Sequence, residues 1–178
     1  MQYGKYELLE RIARGGMAEV YKARIRGEAG FEKLVAIKKL HAHLSEDSEM
    51  VAMLKDEARL VSNMVHPNIC SVLDLGRVSD TYYITMEYIH GKDISGIARY
   101  ERKQGRKVPL DISLYIIRQM LTGLDYAHRM ADPVSGNPLN IIHRDISPQN
   151  IIVSYNGGVK IIDFGIAKAA ESLHHTQS

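Results

Sequence analysis

Four short segments, in a fixed order along 178 residues, constrain this chain more than its composition does. They are Arg14-Gly15-Gly16-Met17-Ala18-Glu19-Val20, Val35-Ala36-Ile37-Lys38, His143-Arg144-Asp145-Ile146-Ser147-Pro148-Gln149-Asn150 and Asp163-Phe164-Gly165. Each is ambiguous alone. A Gly-Gly hairpin is usually only a turn, and a lone His-Arg-Asp could be a solvated turn. Their order matters: a glycine turn and a lysine strand come early, and two carboxylate-bearing loops come late. The chain stops thirteen residues after Gly165.

The patterns between the segments supply an architecture. Residues 6–12 and 19–26 mix apolar and polar positions as strands do, with the Gly-Gly turn between them, which predicts a hairpin. Leu34 to Leu40 reads as a further strand, with Ala36 and Lys38 on one face and Val35 and Ile37 on the other. Ser45 is a candidate N-cap for a helix running to about Met64, with Glu46, Asp47 and Glu49 in the first turn. His66-Pro67-Asn68 breaks that helix. Strands near 69–77 and 81–89 follow. From Ile94 the pattern turns helical, and Leu114, Ile117, Leu121, Leu124 and His128 recur at helical spacing. Two short apolar strands, 151–154 and 159–162, flank Asn156-Gly157-Gly158. The reading is an α+β protein in two parts: residues 1–89 as a small sheet with one main helix, and 90–178 as a mostly helical part.

Composition excludes several function classes. A net charge of +2 makes no electrostatic case for nucleic acid or an anionic membrane. No apolar run approaches the roughly 18 residues that span a bilayer, and the start, Met1-Gln2-Tyr3-Gly4-Lys5, is not a signal peptide. The single cysteine, Cys70, sits in an apolar run and reads as a small buried hydrophobe, so the cytoplasm is the expected compartment.

One residue breaks the apolar logic. On the helix ending near Met64 the apolar stripe runs Met50, Met53, Leu54, Val61 and Met64, and Glu57 falls within it. A carboxylate on a packed face is costly unless paired. It is either a stray charge at the edge of the stripe or one half of a buried pair.

Taken together the four segments resemble the signature set of the protein kinases, and the chain is most similar to the eukaryotic-like Ser/Thr kinases of bacteria from Tyr6 to Ala170. The resemblance implies a two-lobe fold: a complete N-lobe of antiparallel sheet plus helix, and a partial helical C-lobe that ends in the activation segment. It implies ATP and Mg²⁺ as cofactors and a protein hydroxyl as acceptor, the protein itself unknown. Lys38 would sit on the α- and β-phosphates, paired with Glu57. Ile12, Ala13, Gly15, Gly16 and Val20 would form the phosphate-covering loop, with Ala13 and Ala18 standing where the pattern has glycine. Ala36 and Ile152 would line the adenine pocket, with Met86 at its back. Backbone groups of Glu87 and Ile89 would meet the adenine edge, and Asp93 would reach the ribose. Asp145 would be the catalytic base, and Asn150 and Asp163 would hold Mg²⁺.

The sequence departs from the family pattern in three places. Ser147 stands where Ser/Thr kinases usually carry a lysine that touches the γ-phosphate. The loop 131–140 is longer than usual. The Ala-Pro-Glu motif and the helices after it are absent. A second reading therefore stands beside the kinase: a non-catalytic nucleotide-binding or interaction module that retains the cleft. With an apolar surface left uncovered on the second part, self-association is also expected.

Overall fold

The computed structural model describes residues 1–132 and 135–164. Gly165 and the tail hydroxyls Ser172, Thr176 and Ser178 lie outside the described residues. The chain packs as two units, one formed by Met1–Asn63 and Ser71–Tyr88, the other by Met64–Cys70 with the stretch from Ile89 onward.

The first unit is a six-stranded antiparallel sheet with one helix. Its strands are β1 (Gln2–Tyr3), β2 (Tyr6–Arg14), β3 (Ala18–Arg26), β4 (Glu32–Leu40), β5 (Val72–Val78) and β6 (Thr81–Glu87), ordered β1-β2-β3-β4-β6-β5. Alternation sends Tyr3, Tyr6, Leu8, Ala23, Val35, Ile37 and Tyr83 into one buried cluster. Tyr3 and Tyr6 both meet the Tyr83 ring edge-on, with centroids at 5.4 and 5.9 Å. Burial pushes the Tyr3 phenol up to about 12, helped by the neighbouring Tyr83. Gly76 is required where it stands, because a Cβ there would overlap the Tyr83 hydroxyl.

Helix α1 (Ser48–Ser62) packs against β5 and β6. Its cap is Asp47, not Ser45: the Asp47 carboxylate accepts from the N–H groups of Glu49 and Met50. The Ser45 hydroxyl instead donates to the carbonyl of His41, in the single turn of tight helix that precedes α1. Two capping residues stand close together here, and only one lies at the extended backbone position that the cap needs.

The second unit contains β7 (Gly91–Asp93), α2 (Ile94–Lys103), α3 (Leu110–His128), β8 (Ile151–Ser154) and β9 (Val159–Ile161). The three strands pair antiparallel in the order β7-β8-β9. Gly91 lies so close to β8 that a Cβ would collide with the carbonyl of Val153. The segment 64–70, which sequence alone places with the first ninety residues, packs here. Ile161 N–H donates to Asn68 O (2.8 Å), Cys70 N–H donates to Ile161 O (2.9 Å), and the buried Asn68 amide donates to Val159 O (2.9 Å).

Helix α3 has two apolar faces. Ile116, Gly123 and Ala127 are the buried one, and Gly123 brings the helix onto Asn68 and Ile161. The row that sequence periodicity picks out is the other face, with Leu114, Ile117 and Leu121 exposed at 57%, 47% and 56%. Periodicity reports that a helix is amphipathic, and here the small residues that permit close approach decide which face packs. No helix among the described residues is long and apolar enough to cross a membrane.

Candidate active site

In the first unit the sheet register assembles the expected residues on one face. Val20 pairs with Lys38, and Ala36 pairs with Met86. Directly opposed residues share a face, as do residues two apart on a strand, so Val20, Ala36, Lys38 and Met86 all project the same way. The Lys38 ammonium donates to both oxygens of Glu57, at 2.9 and 3.2 Å. Both side chains are largely buried, 16% and 11% exposed. Glu57 is thus a charge on the packed face of α1 with a cation set against it, which offsets its desolvation.

The hairpin tip between β2 and β3 carries Ala13, Gly15 and Gly16, with Ala13 opposite Val20 and Ile12 in an irregular step of the ladder between Arg11 and Ala13. Met86 and Glu87 end β6. The Glu87 N–H is committed to Ser71 O (3.0 Å), and its carboxylate accepts the N–H of Ser71 (2.8 Å). Of the Glu87 backbone groups expected at the adenine edge, the N–H is therefore already used.

In the second unit a set of hydrogen bonds builds the His143–Asn150 loop. His143 is 2% exposed. Asp145 N–H donates to its Nδ1 (3.3 Å), so Nε2 carries the proton and donates to Ile162 O (3.0 Å). The ring packs on Phe164 with centroids 4.6 Å apart. Burial pushes the His143 imidazole below its ordinary 6.5, opposed by the Ile162 bond and the charges of Asp145 and Asp163. A neutral, single-tautomer imidazole thereby ties the loop to the strand end preceding Asp163.

Asn150 fixes the orientation of Asp145. Its Nδ2 donates to the Asp145 carbonyl (2.9 Å) and to the Asp145 carboxylate Oδ2 (3.0 Å). Its backbone N–H donates to Ser147 O (3.0 Å), and its carbonyl accepts from Ile162 N–H (2.9 Å). Arg144 and Asp163 both occupy the left-handed region, at φ 60° and 52°. Such positions are uncommon for residues with side chains, and they collect where a loop must aim a group.

Asp93 and Ile152 are direct partners across β7 and β8. Asp93 also caps α2, accepting the N–H of Gly96 on Oδ1 (2.8 Å). Its expected ribose contact would have to share the carboxylate with that cap.

Among the described residues no group of three or more His, Cys, Asp or Glu stands ready for a metal. Mg²⁺ seldom needs one, since one or two carboxylates, phosphates and water complete its shell. Asn150, with Nδ2 spent on Asp145, keeps Oδ1 as its acceptor, and Asp163 brings a carboxylate one residue beyond Ile162, which is bonded to Asn150. This hard-oxygen donor set fits Mg²⁺.

Sequence reasoning missed three residues. Asn68 was visible only as part of a helix break, yet it anchors β9. His143 was legible as a motif member, without its role as a buried spacer. His41 carried no signal at all.

The sequence pattern described as "Protein kinase domain" matches residues 6–178. The chain is 43% identical over 176 residues to a protein named tyrosine-protein kinase MasK of Myxococcus xanthus, covering 99% of this chain and 27% of that protein. It is 37% identical to the serine/threonine-protein kinase PrkC of Bacillus subtilis, over 98% of this chain and 25% of that one. The chain thus spans about a quarter of the length of these relatives. Among solved structures, the PknI kinase domain of Mycobacterium tuberculosis superimposes with a TM-score of 0.71 at 25% identity, over 93% of this chain and 60% of that one.

Proposed function

The chain belongs to the protein kinase family, and from that premise we propose that it transfers the γ-phosphoryl group of ATP to a protein hydroxyl, serine or threonine in the first place. The observation that carries the reading is the Asn150 amide on the Asp145 carboxylate at 3.0 Å. A module that only bound nucleotide, or only a partner, would have no use for a carboxylate aimed in this way. Asp145 takes the hydroxyl proton as the new O–P bond forms and the bond to the β-phosphate bridging oxygen breaks. Lys38, steadied by Glu57, offsets negative charge on the α- and β-phosphates. Bound at Asn150 and Asp163, Mg²⁺ supplies charge neutralisation of the phosphates. The experiment is a comparison of Asp145→Asn with the parent: turnover should collapse while ATP affinity holds, and intact turnover would remove Asp145 from the chemistry.

Two observations favour tyrosine as a second acceptor. Ser147 replaces the lysine usual in Ser/Thr kinases, and the 43% identical relative is named a tyrosine kinase. Phosphoamino-acid analysis of a labelled peptide library decides between them. The exposed row Leu114, Ile117 and Leu121 supports self-association of the chain, which light scattering across a concentration series tests. The single buried Cys70 suits a reducing cytoplasm.

A further inference from the structure

The turn between β2 and β3 has almost no side-chain packing of its own. A Cβ added at Gly16 would touch nothing within 4 Å, and one at Gly15 would find its first neighbour, Ala18 O, at 3.6 Å. Arg14, Gly15 and Gly16 are exposed. Apart from the exposed Arg14 near Glu19 (3.7 Å), the order of the turn comes from hydrogen bonds made to its backbone.

Those bonds converge on one residue. His41, the first residue past β4, donates its N–H to Met17 O (2.9 Å), carrying the β3–β4 ladder one step past the Ala18–Leu40 pair. Its Nε2 lies 2.9 Å from Gly15 O. A carbonyl only accepts, so Nε2 is the donor. Gly15 N–H closes the turn onto Ala18 O (2.9 Å). The His43 ring stacks on His41, with centroids at 5.6 Å and planes 11° apart, which restrains the imidazole. At the base of the hairpin, Glu19 accepts from Arg11 (2.8 Å) and from the Tyr21 hydroxyl (2.8 Å).

We propose that His41 is a positioning residue: its imidazole latches the Arg14–Ala18 turn so that the turn's backbone donors are ordered before nucleotide phosphates arrive. The peptide unit is planar, with its C=O and N–H pointing in opposite directions. Fixing Gly15 C=O on His41 therefore fixes Gly16 N–H away from it. A donor aimed in advance costs less ordering entropy on binding than one on a loose glycine turn. The effect acts through phosphates alone, because the turn is the only part of the unit that the latch holds. The inference rests on the phosphotransfer reading above.

The test compares His41→Phe, which keeps a ring to stack on His43 but has no donor, with His41→Gln, whose amide can donate from a similar position. Two quantities are measured on the full chain: binding of Mg-ATP and of adenosine, and amide exchange of the turn without ligand. His41→Phe should weaken Mg-ATP by about threefold to tenfold, leave adenosine unchanged and speed exchange of the turn. His41→Gln should restore both to near the parent. Unchanged exchange in His41→Phe overturns the latch. Faster exchange with unchanged Mg-ATP affinity, or an equal loss for adenosine, overturns the positioning role. Failure of the glutamine variant to rescue also counts against it. A parent chain that binds neither ligand, with Lys38→Met no different, sinks the phosphotransfer reading and any phosphate role for His41. The exchange rates still report whether the bond orders the turn.

Discussion

Lys38 and Asp145 are each held by a nearby side chain, but the physics differs. In the first unit the hold is an ion pair across two elements, Lys38 on β4 and Glu57 on α1, at 2.9 Å and largely out of water. In the second it is a net of directional hydrogen bonds within and around one loop, through His143, Asn150 and the Ile162 backbone. An ion pair tolerates small shifts in geometry and fails when one charge is removed. A net of short directional bonds tolerates the loss of a charge better than a displaced backbone. The first site should be broken by changing charge, the second by changing shape or protonation.

The largest expected effect is on turnover. Asp145→Asn should lower kcat by about 10²–10⁴, the range a positioned general base supplies, with little change in ATP affinity. Parallel loss of both would mean that Asp145 also holds nucleotide.

Lys38→Ala is as damaging to turnover and breaks the first site by removing its ammonium. It should abolish measurable transfer and cost about 1–3 kcal/mol, because Glu57 is left without its ammonium on a packed face. Adding Glu57→Ala should recover much of the melting temperature and none of the activity. A double variant no more stable than the single one would show that the pair is not what Glu57 costs.

Shape is the lever in the second unit. Gly91→Ala places a methyl against the Val153 carbonyl of β8, and should cost about 1–3 kcal/mol as the strands part. Amide exchange should rise at β7 and β8 and stay level in the first unit.

Protonation is a gentler lever on the same unit. Burial holds His143 below 6.5, its value in the unfolded chain, so the unfolded state binds the proton more readily. The stability this contributes is complete above the unfolded value and is lost as pH falls from there through the folded value. The loss is at most about 1.4 kcal/mol for each unit of pH crossed. Protection factors at the Ile162 and Asp145 amides, with the intrinsic slowing of exchange at lower pH divided out, should fall between about pH 7 and about pH 5.5, and a His143→Phe chain should lack that dependence.

The smallest effect calibrates the first unit. Thr85 Oγ1 is buried with no partner among the described residues. Thr85→Val keeps the shape, removes that hydroxyl and should stabilise by about 1 kcal/mol without touching activity. Destabilisation would point to a partner that forms only transiently.

The sequence was most legible where a residue violated its surroundings. Glu57 in an apolar stripe demanded a cation, and the strand carrying Lys38 offered one. It was least legible where two residues could serve equally. Ser45 and Asp47 both cap helices, and only backbone conformation separates them. Both faces of α3 are apolar, and Gly123, with no side chain to register in a periodicity, selects the packed one. Hydrogen bonds between residues distant in sequence, such as His41 to Gly15 or Asn68 to Val159, leave no periodic trace. The roles expected of Asn150 and Asp163 come from the resemblance, whereas the tautomer of His143 required its neighbours in space.

The path of segment 64–70 bears on how this protein can be cut. The chain leaves the first unit after Asn63, returns at Ser71 and leaves again after Tyr88. A gene divided at codon 89 would strand Asn68 and Cys70 on the amino-terminal fragment, and β9 would lose its outer backbone partners. The amino-terminal half keeps the whole first unit, and the carboxy-terminal half is not a complete folding piece. The dissection expected to succeed is fragment complementation, in which a peptide spanning about 64–70, supplied in trans, rescues an otherwise unravelled carboxy-terminal fragment.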